Sequence, residues 1–89
     1  MSEIMARRRR QRREFLVGAY ELADGSISEF INGYDLGSSM GMAEVEARKI
    51  FEYLEEKGWV LVDDHRVGTL RLTAAGIDEV ESRAQGEDD

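Results

Sequence analysis

Six arginines fall within seven residues near the start of the chain: Arg7, Arg8, Arg9, Arg10, Arg12 and Arg13, interrupted only by Gln11. A guanidinium stays charged at every accessible pH and presents five donors in a planar fork, so a cluster this dense is suited to phosphates or carboxylates. Its charge alone fits DNA, RNA, an acidic protein surface and a solvated tail equally well. Bond-making chemistry has no comparable cluster. The chain has one histidine, His65, no cysteine, and no serine in a nucleophile-elbow setting, so nucleophilic and metal-hydrolytic schemes lack their parts. The neighbouring carboxylates Asp63-Asp64 and Glu55-Glu56 point different ways on a strand or helix and do not form an acid and base pair. Gly37, Gly41, Gly68 and Gly76 lack the spacing and the lysine of a phosphate loop. Neither an enzyme activity, a cofactor nor a metal is expected.

Charge is distributed unevenly. The formal net charge is −7, yet from Glu14 onward six basic residues face 18 acidic ones, a net of −12. A basic segment of residues 1–13 therefore precedes an acidic body over 14–84 and an acidic tail over 85–89, the last two divided where helical periodicity stops. A duplex would be attracted to the first segment and repelled by much of the second. With 89 residues and 42% hydrophobic content the chain is one small globular domain, with a core small enough to gain from self-association. Without cysteine there is no disulfide framework, which fits a reducing cytoplasm, and no apolar run is long enough for a membrane span.

The elements that must position these side chains are marked by periodicity. Phe15, Leu16, Ala19, Tyr20, Leu22 and Ala23 give a broad apolar face to a first helix within residues 1–23, whereas Arg7 to Arg13 contains nothing apolar to hold it by packing. Gly18, inside that helix, predicts a close crossing, with the third helix as its partner. Asp24-Gly25 reads as a turn, and Ser26-Ile27-Ser28-Glu29 fits a capping box that would open a short helix over 27–31 ending at Asn32-Gly33. The alternative is a short strand over 30–34. Asp35 to Met40 is a second helix with Leu36 and Met40 inward. Met42 to Lys57 is a third, with Ala47, Ile50, Phe51 and Leu54 on one stripe and Gly58 as its stop. Residues 59–63 and 69–73 form a hairpin with Leu70 and Leu72 inward, and Thr73 caps a last helix over 74–84 striped by Ile77, Val80 and Ala84. The fold class is mainly α with a small β-hairpin.

Taken together, Leu36-Gly37-Ser38-Ser39-Met40-Gly41, the phrase Leu54-Glu55-Glu56-Lys57-Gly58-Trp59-Val60 and the phrase Leu72-Thr73-Ala74-Ala75-Gly76 resemble the core of a winged helix-turn-helix domain. The chain is similar there, over about half its length, to regulators of the multiple-antibiotic-resistance type. That resemblance implies a three-helix core with a two-stranded wing and a C-terminal helix, duplex DNA as partner, and a homodimer. It implies that the third helix enters the major groove and the wing touches the backbone or the minor groove. On this sequence the groove-facing positions are Ser38, Ser39, Glu44, Val45, Arg48 and Lys49, with His65 and Arg66 at the wing tip. The arginine run would add salt-sensitive phosphate contacts. Glu44, Glu46 and Asp63-Asp64 depart from the pattern, standing where basic or hydroxyl side chains are usual. They support the competing expectation, a protein-interaction module on the same scaffold with a solvated third-helix face.

Overall fold

The computed structural model describes residues 2–86, with side chains through residue 83. Its order is α1 (Glu3–Leu22), β1 (Ile31–Asn32), α2 (Gly33–Ser39), α3 (Glu44–Glu56), β2 (Val60–Asp64), β3 (Thr69–Leu72) and α4 (Ala74–Gly86). The result is a small, mainly helical globule of four helices and one three-stranded antiparallel sheet, in the order β1-β3-β2.

Helix α1 extends further than its packing requires. Phe15, Leu16 and Ala19 are its buried residues, yet it begins at Glu3 with the Ser2 side chain accepting the amides of Ile4 and Met5. Residues 3–13 of the basic segment therefore form about three turns of the same helix. The N-cap and good helix formers carry this segment past the core. At the other end the amides of Asp24 and Gly25 bond back to Glu21 and Tyr20, which closes the helix where Asp24-Gly25 predicts a turn.

The short helix expected over 27–31 does not form. Ser26 Oγ accepts the Ser28 amide in a tight local turn, and the box with Glu29 is not made. Ile31 and Asn32 instead pair with Leu70 and Thr69, adding a third strand to the expected hairpin. Asn32-Gly33 starts a helix where the sequence predicts an end: Asn32 Oδ1 accepts the Asp35 amide and so caps α2, which starts two residues and ends one residue earlier than expected. Gly33 is buried, and a Cβ there would press on the Phe51 and Leu70 side chains, so the strand-to-helix junction sits directly on the core. Gly18 likewise marks a close approach, but its neighbour is Leu36 of α2 and not the third helix.

Helix α3 is bounded by two different devices. Ala43 at its N-cap has no side-chain acceptor, so only the reciprocal half of a capping box is made, with Glu46 Oε1 accepting the Ala43 amide at 3.0 Å. Its start is two residues later than expected. At its end Gly58 takes φ +81, and the amides of Gly58 and Trp59 bond to the carbonyls of Glu55 and Leu54, a Schellman closure. Strands β2 and β3 follow, with Leu70 and Leu72 fully buried and a bulge between Val62 and Asp64. Thr73 Oγ1 accepts the Gly76 amide and donates to the Gly58 carbonyl at 2.6 Å, so a single hydroxyl caps α4 and ties it to the end of α3. Helix α4 continues to Gly86, past the boundary expected at residue 84, while residues 87–89 of the acidic tail and the Ala84 side chain lie outside the described part.

The core lies where α1, α2 and α3 meet one face of the sheet. Phe51 is at its centre, edge-on to Tyr34 at 5.4 Å and 6.5 Å from the Phe15 ring. Val60, Leu54, Leu70 and Leu72 complete it, and Ile77 and Val80 of α4 cover one side. Tyr20 of α1 donates to Glu81 Oε2 of α4 at 2.6 Å, which sets α4 against α1.

Candidate nucleic-acid interface

Helix α3 has an inner stripe and three outward strips, and the candidate residues divide among them. The outermost strip carries Val45, Lys49, Glu52 and Glu56, all exposed. Across the whole helix five glutamates outnumber Arg48 and Lys49. Two of these glutamates have a local reason: Glu44 and Glu46 lie in the first turn, where a carboxylate offsets the unpaired amides of the helix start.

One flank of α3 turns toward the β2-β3 turn. There the Arg48 Nε donates to the Tyr34 hydroxyl at 2.9 Å, and that hydroxyl donates to the His65 carbonyl at 3.0 Å. His65 Nε2 is 2.9 Å from Glu55 Oε1 on the next turns of the same helix. Asp64 Oδ1 accepts the amides of Arg66 at 2.9 Å and Val67 at 3.2 Å, and these two bonds hold its carboxyl below the ordinary range. Arg48, Tyr34, His65 and Glu55 thus form one chain of contacts from α3 through α2 to the turn, whose backbone Asp64 braces separately. The Tyr34 contact pushes the Arg48 pKa further up, without consequence at neutral pH because a guanidinium is already charged. Arg66 is exposed at the tip of the turn.

The other flank turns toward α1. The Arg12 guanidinium lies over the Tyr53 ring at 4.2 Å, and the Lys57 ammonium over Trp59 at 5.3 Å. Arg9, Arg10 and Arg13 line the same side, opposite Arg83 of α4. Arg7 and Arg8 immediately precede them on α1 and are exposed, outside the lining of that side. Among the described residues none of the six arginines sits in an ion pair; the ion pairs there are His65 with Glu55 and Arg83 with Glu79.

Of the residues predicted from sequence, Arg48 and His65 are brought together, through Tyr34. Lys49 and Val45 are free on the outer strip, and Glu44 lies at its start. Ser38 and Ser39 end α2 and are exposed, but Ser39 Oγ already donates to the Leu36 carbonyl at 2.8 Å. The arginine run does not join Arg48 and Lys49; it meets the C-terminal part of α3 at Tyr53 and Lys57, five and nine residues past Arg48, or about 7 to 13 Å further along the helix axis. Tyr34, Glu55, Tyr53, Lys57, Trp59 and Arg83 enter the two clusters without having been singled out for a site. Lys57 and Tyr53, four apart on α3, carry the one signal that could have found the second cluster, a cation and an aromatic on the flank beside α1.

No helix among the described residues is long and apolar enough to cross a membrane. Comparison with family models, with curated proteins and with solved structures returns no match, so the reading of this surface stands on the chain's own geometry.

Proposed function

We propose that this chain is a winged helix-turn-helix protein that binds duplex DNA without catalysing a reaction, acting as a homodimeric, transcription-regulator-like module. The element order and the β2-β3 hairpin beside α3 are compatible with that fold. In this reading α1 supplies the phosphate contacts, the outer strip of α3 faces the bases through Lys49, and Arg66 reaches the backbone from the turn. The observation that carries it is the arginine run: six guanidinium groups on one capped helix, beside α3, with no carboxylate paired to any of them among the described residues. Unpaired arginines on a formed helix require no backbone ordering on contact with a polyanion, so less of their counterion-release gain is spent.

The five glutamates of α3 weaken base reading, and they place the weight of binding on charge. The exposed side chains of Ile4 and Met5 on α1 suit a second copy, which sedimentation would detect. The test of the reading is anisotropy of a labelled mixed-sequence duplex across a salt series. A slope of log affinity against log salt near −4 or steeper is expected, with each phosphate-contacting arginine removed by alanine lowering it by about 0.9. Absence of binding at low salt removes the proposal.

A further inference from the structure

Between α1, the end of α3 and α4 runs a groove of about 660 Å³, and its lining is divided by height. Leu16, Val17, Leu54 and Val80, buried or half-buried, form the floor, and Tyr53 and Trp59 stand in the wall with Arg12 and Lys57 against their rings. Arg9, Arg10, Arg12 and Arg13 stand along one rim, and Lys57 and Arg83 along the other. Among the described residues Glu79 is the single carboxylate in the lining, and it is already paired with Arg83 at 2.8 Å. We infer that this groove docks an acidic amphipathic helix of a partner protein, its apolar stripe on the floor and its carboxylates between the two rims.

Three features favour this occupant. A duplex is a convex rod: its phosphates can meet the rim, but its bulk cannot reach an apolar floor, which then contributes nothing. A second copy of α1 would bring six more arginines into a groove already cationic on both sides. An acidic amphipathic helix uses both layers, as helix-in-groove partners do. The rim is also pre-organised, since Arg12 and Lys57 rest on aromatic faces and lose little freedom on binding. The lining on α1 runs from Ala6 to Val17, a length that matches three helical turns, or a segment of about 11 residues. The inference does not depend on DNA binding, though it shares four of the arginines with that reading.

Trp59 is the chain's one tryptophan and lies in the groove wall, so its emission reports occupancy directly. The experiment titrates the full chain with a designed acidic helical peptide of about 12 residues with leucines at i, i+3, i+4 and i+7. A scrambled peptide of identical composition and a mixed-sequence duplex are run beside it. The stripe peptide is expected to shift Trp59 emission and to bind roughly ten-fold more tightly than the scrambled one. Arg9→Glu with Arg13→Glu, both on exposed helix positions, is expected to cost at least roughly ten-fold, and Arg7→Glu with Arg8→Glu, outside the lining, less than about three-fold. Equal binding of stripe and scrambled peptides, or no emission change at saturation, overturns the inference. Duplex that moves Trp59 while the peptide does not overturns it too, and leaves the DNA reading standing. Peptide binding without duplex binding at any salt supports it and removes the DNA reading.

Discussion

Along one flank of α3 the polar side chains are engaged with each other; along the other they face outward unpaired. Toward the β2-β3 turn, Arg48 is held by Tyr34, His65 by Glu55, and Asp64 by two backbone amides. Toward α1, Arg9, Arg10 and Arg13 meet no carboxylate among the described residues, and Arg12 and Lys57 rest on aromatic rings that leave their charge intact. The same residue types therefore do different work. A cation whose hydrogen bonds are used inside the molecule orders a turn, whereas one whose charge is left uncompensated attracts a polyanion. The comparison moves the expected binding surface from the middle of α3 to its α1 side.

The largest expected effect breaks the comparison at its cationic side. Reversing Arg9, Arg10 and Arg13 to glutamate should lower duplex affinity roughly 100-fold or more at low salt, because each reversal removes a phosphate contact and adds a repulsion. Unchanged circular dichroism would show that the fold survives, and an affinity within about three-fold of the parent would return the weight of binding to α3.

Gly33→Ala tests the junction that carries Tyr34. A Cβ there meets Phe51 and Leu70, so unfolding by urea should show a loss of about 2 kcal/mol, in the usual range for overfilling a core. A neutral result would mean that the α2 start can shift without moving the core.

Lys49→Ala and Arg48→Ala sharpen the comparison within α3. Lys49 is free, so its removal should weaken duplex binding a few-fold and reduce the salt slope by about one. Arg48 is held by Tyr34, whose hydroxyl donates to the His65 carbonyl, so its removal should change binding less than that of Lys49 and act mainly on the turn, visible as reduced protection of the Arg66 and Val67 amides. The reverse ranking would place Arg48 on DNA.

The smallest effect is an acid transition of the turn. The two amide bonds hold the folded Asp64 carboxyl below its unfolded value, so they stabilise the turn above about pH 4. That contribution is lost as pH falls below the unfolded value and through the lower folded one. Asp64→Asn should remove this acid dependence from the amide shifts of Arg66 and Val67, while the arginine surface of α1 stays unaffected over the same range.

Much of the scaffold was legible in the sequence because it is local. Gly58 after Lys57, Thr73 before Ala74 and the stripe of Ala47, Ile50, Phe51 and Leu54 each decide their element within about two turns of helix. In the segment 27–34 the sequence left a helix and a strand open, and the local signal favoured the helix whereas the strand forms at Ile31–Asn32. Ser26 and Glu29 satisfy the pattern of a capping box, but Ile31 and Asn32 gain ladder bonds to β3, nearly 40 residues away. Asn32, expected to close a helix over 27–31, instead caps the start of α2. Long-range pairing outweighed a local preference.

The candidate site divides the same way. Composition and spacing alone determined that this chain carries a dense block of permanent positive charge on an otherwise acidic body, since charge follows from residue type. Which of its other charges remain available was decided only by the tertiary structure. Arg48 and Tyr34 are 14 residues apart, and Arg12 and Tyr53 are 41 apart. Both pairs form because three helices and a hairpin close on one core, and a side chain's partners depend on what that closure places within reach.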